Sequence, residues 1–125
     1  MIILDSSAWL EYFAGTQNGN IFAEYAEDFE NLIVPVICLY EVYKIILKQR
    51  DENSAKIAID FMKNGFVVDI NSEIASKAAK ISFQKKLPMA DSLIYTVGQL
   101  YNAIIITQDD DFKNLDNIHY FAKNK

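Results

Sequence analysis

The sequence has 125 residues, of which 51% are hydrophobic and 13% aromatic, so one compact domain with a well-filled core is expected over residues 1–125. Its single cysteine, Cys38, excludes an internal disulfide, and a net charge of −5 offers no general attraction for a polyanion. No apolar run approaches the roughly 20 residues that a membrane-spanning helix needs, and we expect a cytoplasmic protein with no membrane partner.

Short apolar runs and amphipathic stretches alternate along the chain. The first half predicts strands at residues 2–4 and 32–34, because these runs are continuously apolar. Helical spacing and capping residues predict helices at 8–14, 21–30, from Pro35 to about Gln49, and 54–63. Residues 15–20 are rich in turn-forming side chains and predict a break between the first two helices.

The second half repeats this alternation. Strands are predicted at residues 66–68, 104–106 and 118–121, and helices at about 72–82 and 89–101. Strands that alternate with helices form a mostly parallel sheet with helices on both faces. The sequence therefore predicts a three-layer α/β/α sandwich.

Four carboxylates are predicted to meet at one edge of that sheet. Asp5 directly follows the first strand, and Asp109 follows the strand at 104–106. Glu41 lies about 9 Å along a helix that starts at the end of the second strand, at 1.5 Å per residue. Asp91 lies in the first turn of a helix that must descend before the next strand rises. Ligands bind at this carboxyl edge in open α/β sheets.

Each acid also has a purely structural explanation. Asp5 and Asp109 can cap the helical turns that follow them, and Asp91 can complement a helix dipole. Glu41 is harder to explain because it stands in an apolar helix, where Lys44 is the one available cation at helical spacing.

Four neighbouring carboxylates repel one another unless a cation compensates their charge. Hard oxygen ligands suit Mg²⁺ or Mn²⁺, and such a centre can activate a water and stabilise charge on a phosphodiester. The sequence has no GxGxxG or GxxxxGK[ST] loop for nucleotide phosphates. These residues therefore predict a metal-dependent nuclease. The net negative charge by itself favours an acidic protein with no polyanion partner.

The order and spacing of four segments resemble a PIN domain, in particular the VapC-type toxin ribonucleases of type II toxin–antitoxin systems. The resemblance covers essentially the whole chain. The segments are Ile3-Leu4-Asp5-Ser6-Ser7, Tyr40-Glu41-Val42, Ala90-Asp91-Ser92-Leu93-Ile94 and Thr107-Gln108-Asp109-Asp110-Asp111-Phe112.

This resemblance implies a Mg²⁺- or Mn²⁺-dependent endoribonuclease that cleaves RNA, forms a homodimer and is inhibited by a cognate antitoxin protein. It also assigns roles to the matching residues. The catalytic metal ligands would be Asp5, Glu41, Asp91 and Asp109, with Asp111 as an auxiliary acid and Ser7 and Thr107 as supporting hydroxyls.

Two other functions stay open. A housekeeping PIN nuclease would process RNA or act on DNA, and a non-catalytic module would keep the fold without the chemistry. A haloacid-type phosphatase is disfavoured because Asp5-Ser6-Ser7 lacks the second acid of a D-x-D motif.

Overall fold

The computed structural model describes residues 1–123 and contains a five-stranded, fully parallel sheet. The strand order is β3-β2-β1-β4-β5. The strands are β1 (Ile2–Leu4), β2 (Leu32–Pro35), β3 (Phe66–Val68), β4 (Ile104–Thr107) and β5 (Ile118–Tyr120). All five strands predicted from the sequence are confirmed.

Six helices connect the strands. They are α1 (Ser6–Ala14), α2 (Gln17–Ala26), α3 (Val36–Gln49), α4 (Glu52–Met62), α5 (Ser72–Lys85) and α6 (Met89–Leu100), followed by a 3₁₀ turn at Asp110–Phe112. The predicted α/β architecture is thus confirmed. Within residues 1–123, no helix combines the length and the hydrophobicity that crossing a membrane requires.

The central strand β1 lies between β2 and β4 and sets the position of the sheet's carboxyl edge. Its register pairs Ile3 with Ile33 of β2 and Leu4 with Ile106 of β4. These side chains have at most 1% exposure, as expected for strands that are covered on both faces. Because Leu4 and Ile106 are level, the residues that follow them emerge side by side.

Side chains at the helix starts fix several connections. Asp5, Thr16, Asp51 and Asn71 each accept a hydrogen bond from a backbone N–H in the first turn of the helix that follows. The sequence predicted Pro35 in the first turn of α3. The structure places it at the N-cap, one residue before that turn begins.

The second helix and the break before it are confirmed, but their predicted bounds, 21–30 and 15–20, are wrong. Helix α2 begins at Gln17, where the Thr16 hydroxyl accepts from the Gly19 N–H at 3.0 Å. It ends at Ala26, and Asn31 then donates its backbone N–H to the Asp28 carbonyl at 3.1 Å to close a turn. Local propensity missed this shift because the start of α2 is determined by its packing against α1.

Gly19 is the point of closest approach between α1 and α2. A Cβ atom there would collide with the backbone carbonyl of Glu11 and lie 2.9 Å from its carbon. Gly19→Ala is therefore expected to destabilise the protein by about 1–3 kcal/mol, although Gly→Ala within a helix ordinarily stabilises by about 1 kcal/mol. Urea unfolding followed by circular dichroism measures the change.

Asn20→Ala is the matched control, because Asn20 is the next residue of α2 and is exposed. It should change the free energy of unfolding by no more than about 0.5 kcal/mol. A Gly19→Ala protein as stable as this control would contradict the packing of α1 on α2.

Candidate metal centre

Asp5 emerges from the end of β1 and is held on both of its carboxylate oxygens. Its Oδ1 accepts hydrogen bonds from the Ser7 hydroxyl at 2.7 Å and the Ala8 N–H at 3.1 Å. Its Oδ2 accepts from the Thr107 hydroxyl at 2.7 Å. With 2% exposure, the side chain is fixed in one orientation, and it caps α1 as the structural explanation of Asp5 predicted.

The segment after β4 is hydrogen-bonded to the same two hydroxyls that hold Asp5, those of Ser7 and Thr107. The Thr107 Oγ1 accepts from the Asp109 N–H at 2.9 Å, and the Gln108 N–H donates to the Ser7 hydroxyl at 3.1 Å. The Asp109 Oδ1 then accepts from the Asp111 N–H at 2.9 Å and caps the 3₁₀ turn. The hydroxyls of Ser7 and Thr107 thus connect β1 to the acidic segment after β4.

Three carboxylates converge next to this connection. One oxygen each from Asp91, Asp109 and Asp111 lie within 4.8 Å of one another. Among the described residues 1–123, this is the one group of three or more His, Cys, Asp or Glu side chains with such spacing. Asp91 comes from the first turn of α6, as the sequence predicted, and is 8% exposed.

Asp5 and Glu41 lie outside that group, and Asp5 contributes to its electrostatic field. The negative charge of Asp5 helps to raise the pKa of Asp91, so the two carboxylates interact. Burial raises the pKa of the Cys38 thiol well above its ordinary value, and the charges of Asp5, Glu41 and Asp91 raise it further. The structure therefore brings Glu41 to the same region without placing it among the closest oxygens.

The partner of Glu41 differs from the one that the sequence offered. Its Oε1 accepts a hydrogen bond from the Ser6 hydroxyl at 2.6 Å. Lys44 instead lies over the ring of Tyr40 at 5.8 Å, and the two ion pairs in residues 1–123 involve neither Lys44 nor Glu41. The structural alternative for Glu41, a pair with Lys44, is not present within these residues, because the first turn of α1 faces α3 here and supplies the Ser6 hydroxyl.

Ser6 is a site residue that sequence reasoning missed. Its side chain connects α1 to α3 across 35 residues of sequence. The available signal was its place directly after Asp5, at the helix start, where a hydroxyl can point towards the rim.

The site is electrostatically strained when no cation is bound. Burial, followed by the charge of Asp109 and a hydrogen bond with its side chain, raises the pKa of Asp91 to about 8. Burial also raises the pKa of Asp5 to about 6, against the lowering effect of the hydrogen bonds from Thr107, Ser7 and Ala8. Both shifts mean that full ionisation of these acids is unfavourable in the folded protein.

The donor set fits a hard divalent cation. Convergent carboxylate oxygens are the ligands that Mg²⁺ and Mn²⁺ prefer, and a cation here would offset the burial of these charges and the repulsion between them, which raise the pKa values of Asp91 and Asp5. Asp91, Asp109 and Asp111 have the spacing to hold it, and Asp5 and Glu41 lie beside them.

Other chemically capable residues lie away from this centre or in the core. His119 is exposed on β5, where its ring stacks on Phe121 at 4.4 Å. Cys38 and Trp9 are fully buried in the hydrophobic core.

The family of the chain follows from comparison with known proteins. The family model described as the PIN domain matches residues 2–118. The chain belongs to the PIN domain family. No curated protein matches the sequence.

Solved structures of similar fold include a toxin–antitoxin complex and a toxin that cleaves the sarcin-ricin loop. A toxin–antitoxin complex from Klebsiella pneumoniae has 19% sequence identity and a TM-score of 0.81, over 98% of this chain and all of that one. The sarcin-ricin loop cleaving toxin VapC20 of Mycobacterium tuberculosis has 14% identity and a TM-score of 0.78, over 93% and 95%. VapBC-1 of Haemophilus influenzae has 19% identity and a TM-score of 0.70, over 98% of both chains.

The raised pKa of Asp91 predicts how the stability of the metal-free PIN domain depends on pH. Between pH 3.8 and about 8 the folded protein binds more protons at Asp91 than the unfolded chain does. The stabilisation from this group is therefore complete below pH 3.8 and is lost as the pH rises through about 8. In EDTA, Asp91→Asn should become progressively more stable than the wild type from pH 5 to pH 8, as measured by Tm.

Asp116→Asn is the charge-matched control, because Asp116 is exposed and outside the acidic group. Its Tm relative to the wild type should stay constant across the same pH range. Added Mn²⁺ should raise the Tm of the wild type at pH 8 and have a smaller effect on Asp91→Asn. Parallel pH profiles for all three proteins would contradict the crowding of the carboxylates.

Proposed function

We propose that residues 1–125 form a single PIN-like nuclease domain, a divalent-metal-dependent endoribonuclease that hydrolyses RNA phosphodiester bonds. The observation that carries this proposal is the convergence of Asp91, Asp109 and Asp111 within 4.8 Å at the carboxyl edge of the sheet. Membership of the PIN family supports the same chemistry.

The catalytic group of the proposal is Asp5, Glu41, Asp91 and Asp109, with Asp111 as a further metal ligand. When bound, Mg²⁺ or Mn²⁺ supplies a Lewis acid that activates water and stabilises charge developing on a phosphodiester. The carboxylates of this chain would hold that ion, and their separate attachments to β1, α3, α6 and the 3₁₀ turn keep them in place.

The supporting residues restrict movement at the centre. Ser7 and Thr107 hold the Asp5 carboxylate, and Ser6 holds Glu41. Because the bonds from Thr107 and Ser6 join elements far apart in sequence, they fix the acids before any cation or substrate binds. Such preorganisation lowers the reorganisation that the reaction requires.

The biological setting of the proposal is a toxin–antitoxin pair. The similar structures from Klebsiella pneumoniae and Haemophilus influenzae are a toxin–antitoxin complex and VapBC-1, and they match essentially the whole of this chain. By analogy, this PIN domain acts in the cytoplasm as the toxin, forms a homodimer and is inhibited by a cognate antitoxin protein.

Cleavage of RNA tests the chemistry. Purified wild-type protein should cleave a structured RNA in Mg²⁺ or Mn²⁺ and lose this activity in EDTA. Asp5→Asn, Glu41→Gln and Asp91→Asn should each reduce the cleavage rate by at least about a hundredfold, because each removes a charge that faces the metal. Gel electrophoresis of end-labelled RNA measures the rate.

The control for these variants is again Asp116→Asn, which removes one exposed negative charge and should cleave at the wild-type rate. Equal rates for the wild type and Asp91→Asn would exclude the proposed centre and point to a contaminating nuclease. Mn²⁺ binding by calorimetry without any cleavage of RNA would favour a non-catalytic PIN module.

Growth of a bacterial host separates a toxin from a housekeeping nuclease. Induced expression of the wild-type chain alone should arrest growth, whereas Asp91→Asn expressed to the same level should not. Viable-cell counts and immunoblots measure both quantities. Undisturbed growth with active wild-type enzyme present would favour the housekeeping role.

A further inference from the structure

One segment of this acidic protein is strongly basic. Residues 74–90, here called the basic segment, contain four lysines and no acidic residue, although the whole chain has a net charge of −5. The lysines are Lys77, Lys80, Lys85 and Lys86. The segment covers most of α5, the connection to α6 and the first residues of α6, and Asp91 of the acidic centre follows it directly.

Three of these lysines have no carboxylate partner among residues 1–123. The two ion pairs found within residues 1–123 are Lys56 with Glu52 at 3.7 Å and Lys77 with Glu73 at 3.1 Å. Lys80, Lys85 and Lys86 are exposed and take part in neither pair. Their charges therefore remain available to an anionic ligand.

Lys86 adopts a backbone conformation that does not suit a lysine. Its φ of 56° and ψ of 39° lie in the left-handed region, where a Cβ atom crowds the following carbonyl oxygen. The other non-glycine residues with positive φ in residues 1–123 are Asn102 and Asn117, and asparagine tolerates this region. Glycine at position 86 would relieve this crowding, whereas the positive charge of a lysine at the C-cap of α5 complements the helix dipole.

The connection that carries Lys86 is well anchored. The Ser82 hydroxyl donates to the Leu87 carbonyl at 2.6 Å, and the Leu87 side chain is 6% exposed. Pro88 then starts α6, and Asp91 follows within the first helical turn. Lys86 thus lies five positions before Asp91 in the sequence, and its side chain is exposed at the surface.

The acidic centre by itself repels a polyanion. A phosphodiester chain that approaches Asp91, Asp109 and Asp111 needs positive charge outside the reacting position, and lysine supplies a compact one. The unpaired lysines nearest to Asp91 in sequence are Lys86 and Lys85, and Lys80 lies further back on α5.

We propose that Lys86, together with Lys85 and Lys80, binds the phosphodiester backbone of single-stranded RNA beside the metal centre. This inference rests on the proposed function and assigns to it the residues that position the substrate. Lys86 makes the contact nearest to the acids.

Lys86→Gly separates binding from folding, because it removes the charge and relieves the backbone at once. The binding assay uses Asp91→Asn protein in Mg²⁺, which leaves the RNA uncleaved, and a short fluorescein-labelled single-stranded RNA followed by anisotropy. Adding Lys86→Gly should weaken binding about fivefold at 0.1 M salt and lower the slope of log K against log salt by about 0.7, as expected for one phosphate contact. The Tm should stay equal or rise.

Two variants in the same background serve as controls. Lys86→Arg keeps the charge and should restore most of the affinity. Lys56→Gln removes one positive charge on α4 and should leave the salt slope unchanged.

The outcomes for the two proposals are distinguishable. Unchanged affinity and slope in Lys86→Gly, with metal-dependent cleavage by the wild type intact, would overturn the role of Lys86 alone. An equally large loss of RNA affinity in Lys56→Gln would show that the effect of Lys86→Gly reflects net charge alone, and this result would also overturn the role of Lys86. Absence of both RNA binding and cleavage in proteins that retain Lys86 would overturn the proposed function and this inference together.

Discussion

The hydrogen bond between the hydroxyl of Thr107 and the carboxylate of Asp5 organises the acidic edge of this protein. The bond is 2.7 Å long, buried, and joins residues 102 positions apart. The same Thr107 oxygen accepts from the Asp109 N–H at 2.9 Å, so one hydroxyl positions acids from two strands. The level register of Leu4 with Ile106 makes this possible, because both strands end at the same height.

This arrangement places like charges together at an energetic cost. The pKa of Asp91 rises to about 8 and that of Asp5 to about 6, in each case mainly through burial. A protein selected for stability alone would separate these groups or replace them, since removal of charge repulsion is stabilising. Their convergence is the physical reason to propose a metal site in this PIN domain. It also explains why the cation-bound protein and the apo protein should differ in stability.

Net charge was a poor guide to the surface of this protein. The acidic residues are concentrated at the start of the chain, where residues 1–43 contain no lysine or arginine. The basic segment at residues 74–90 directly precedes Asp91 in the sequence, so an excess of lysine leads into an acidic centre along the chain. A sum over the chain hides this juxtaposition, and only the positions of the charges in the fold bear on which ligand can bind.

Much of the architecture followed from the sequence, because apolar runs and capping residues are local signals. The five strands, the four later helices and the common edge for Asp5, Asp91 and Asp109 could all be predicted. A sheet with this order of elements forces its strand ends together, whatever the details of packing.

The tertiary structure decided what depends on contacts between distant residues. It shifted α2 to Gln17–Ala26 through its packing on α1, and it gave Glu41 a hydrogen bond from Ser6 in place of an ion pair with Lys44. It also brought Asp111 within 4.8 Å of Asp91 and Asp109. Local propensity cannot encode these outcomes, because each one depends on the relative placement of elements that are separate in sequence.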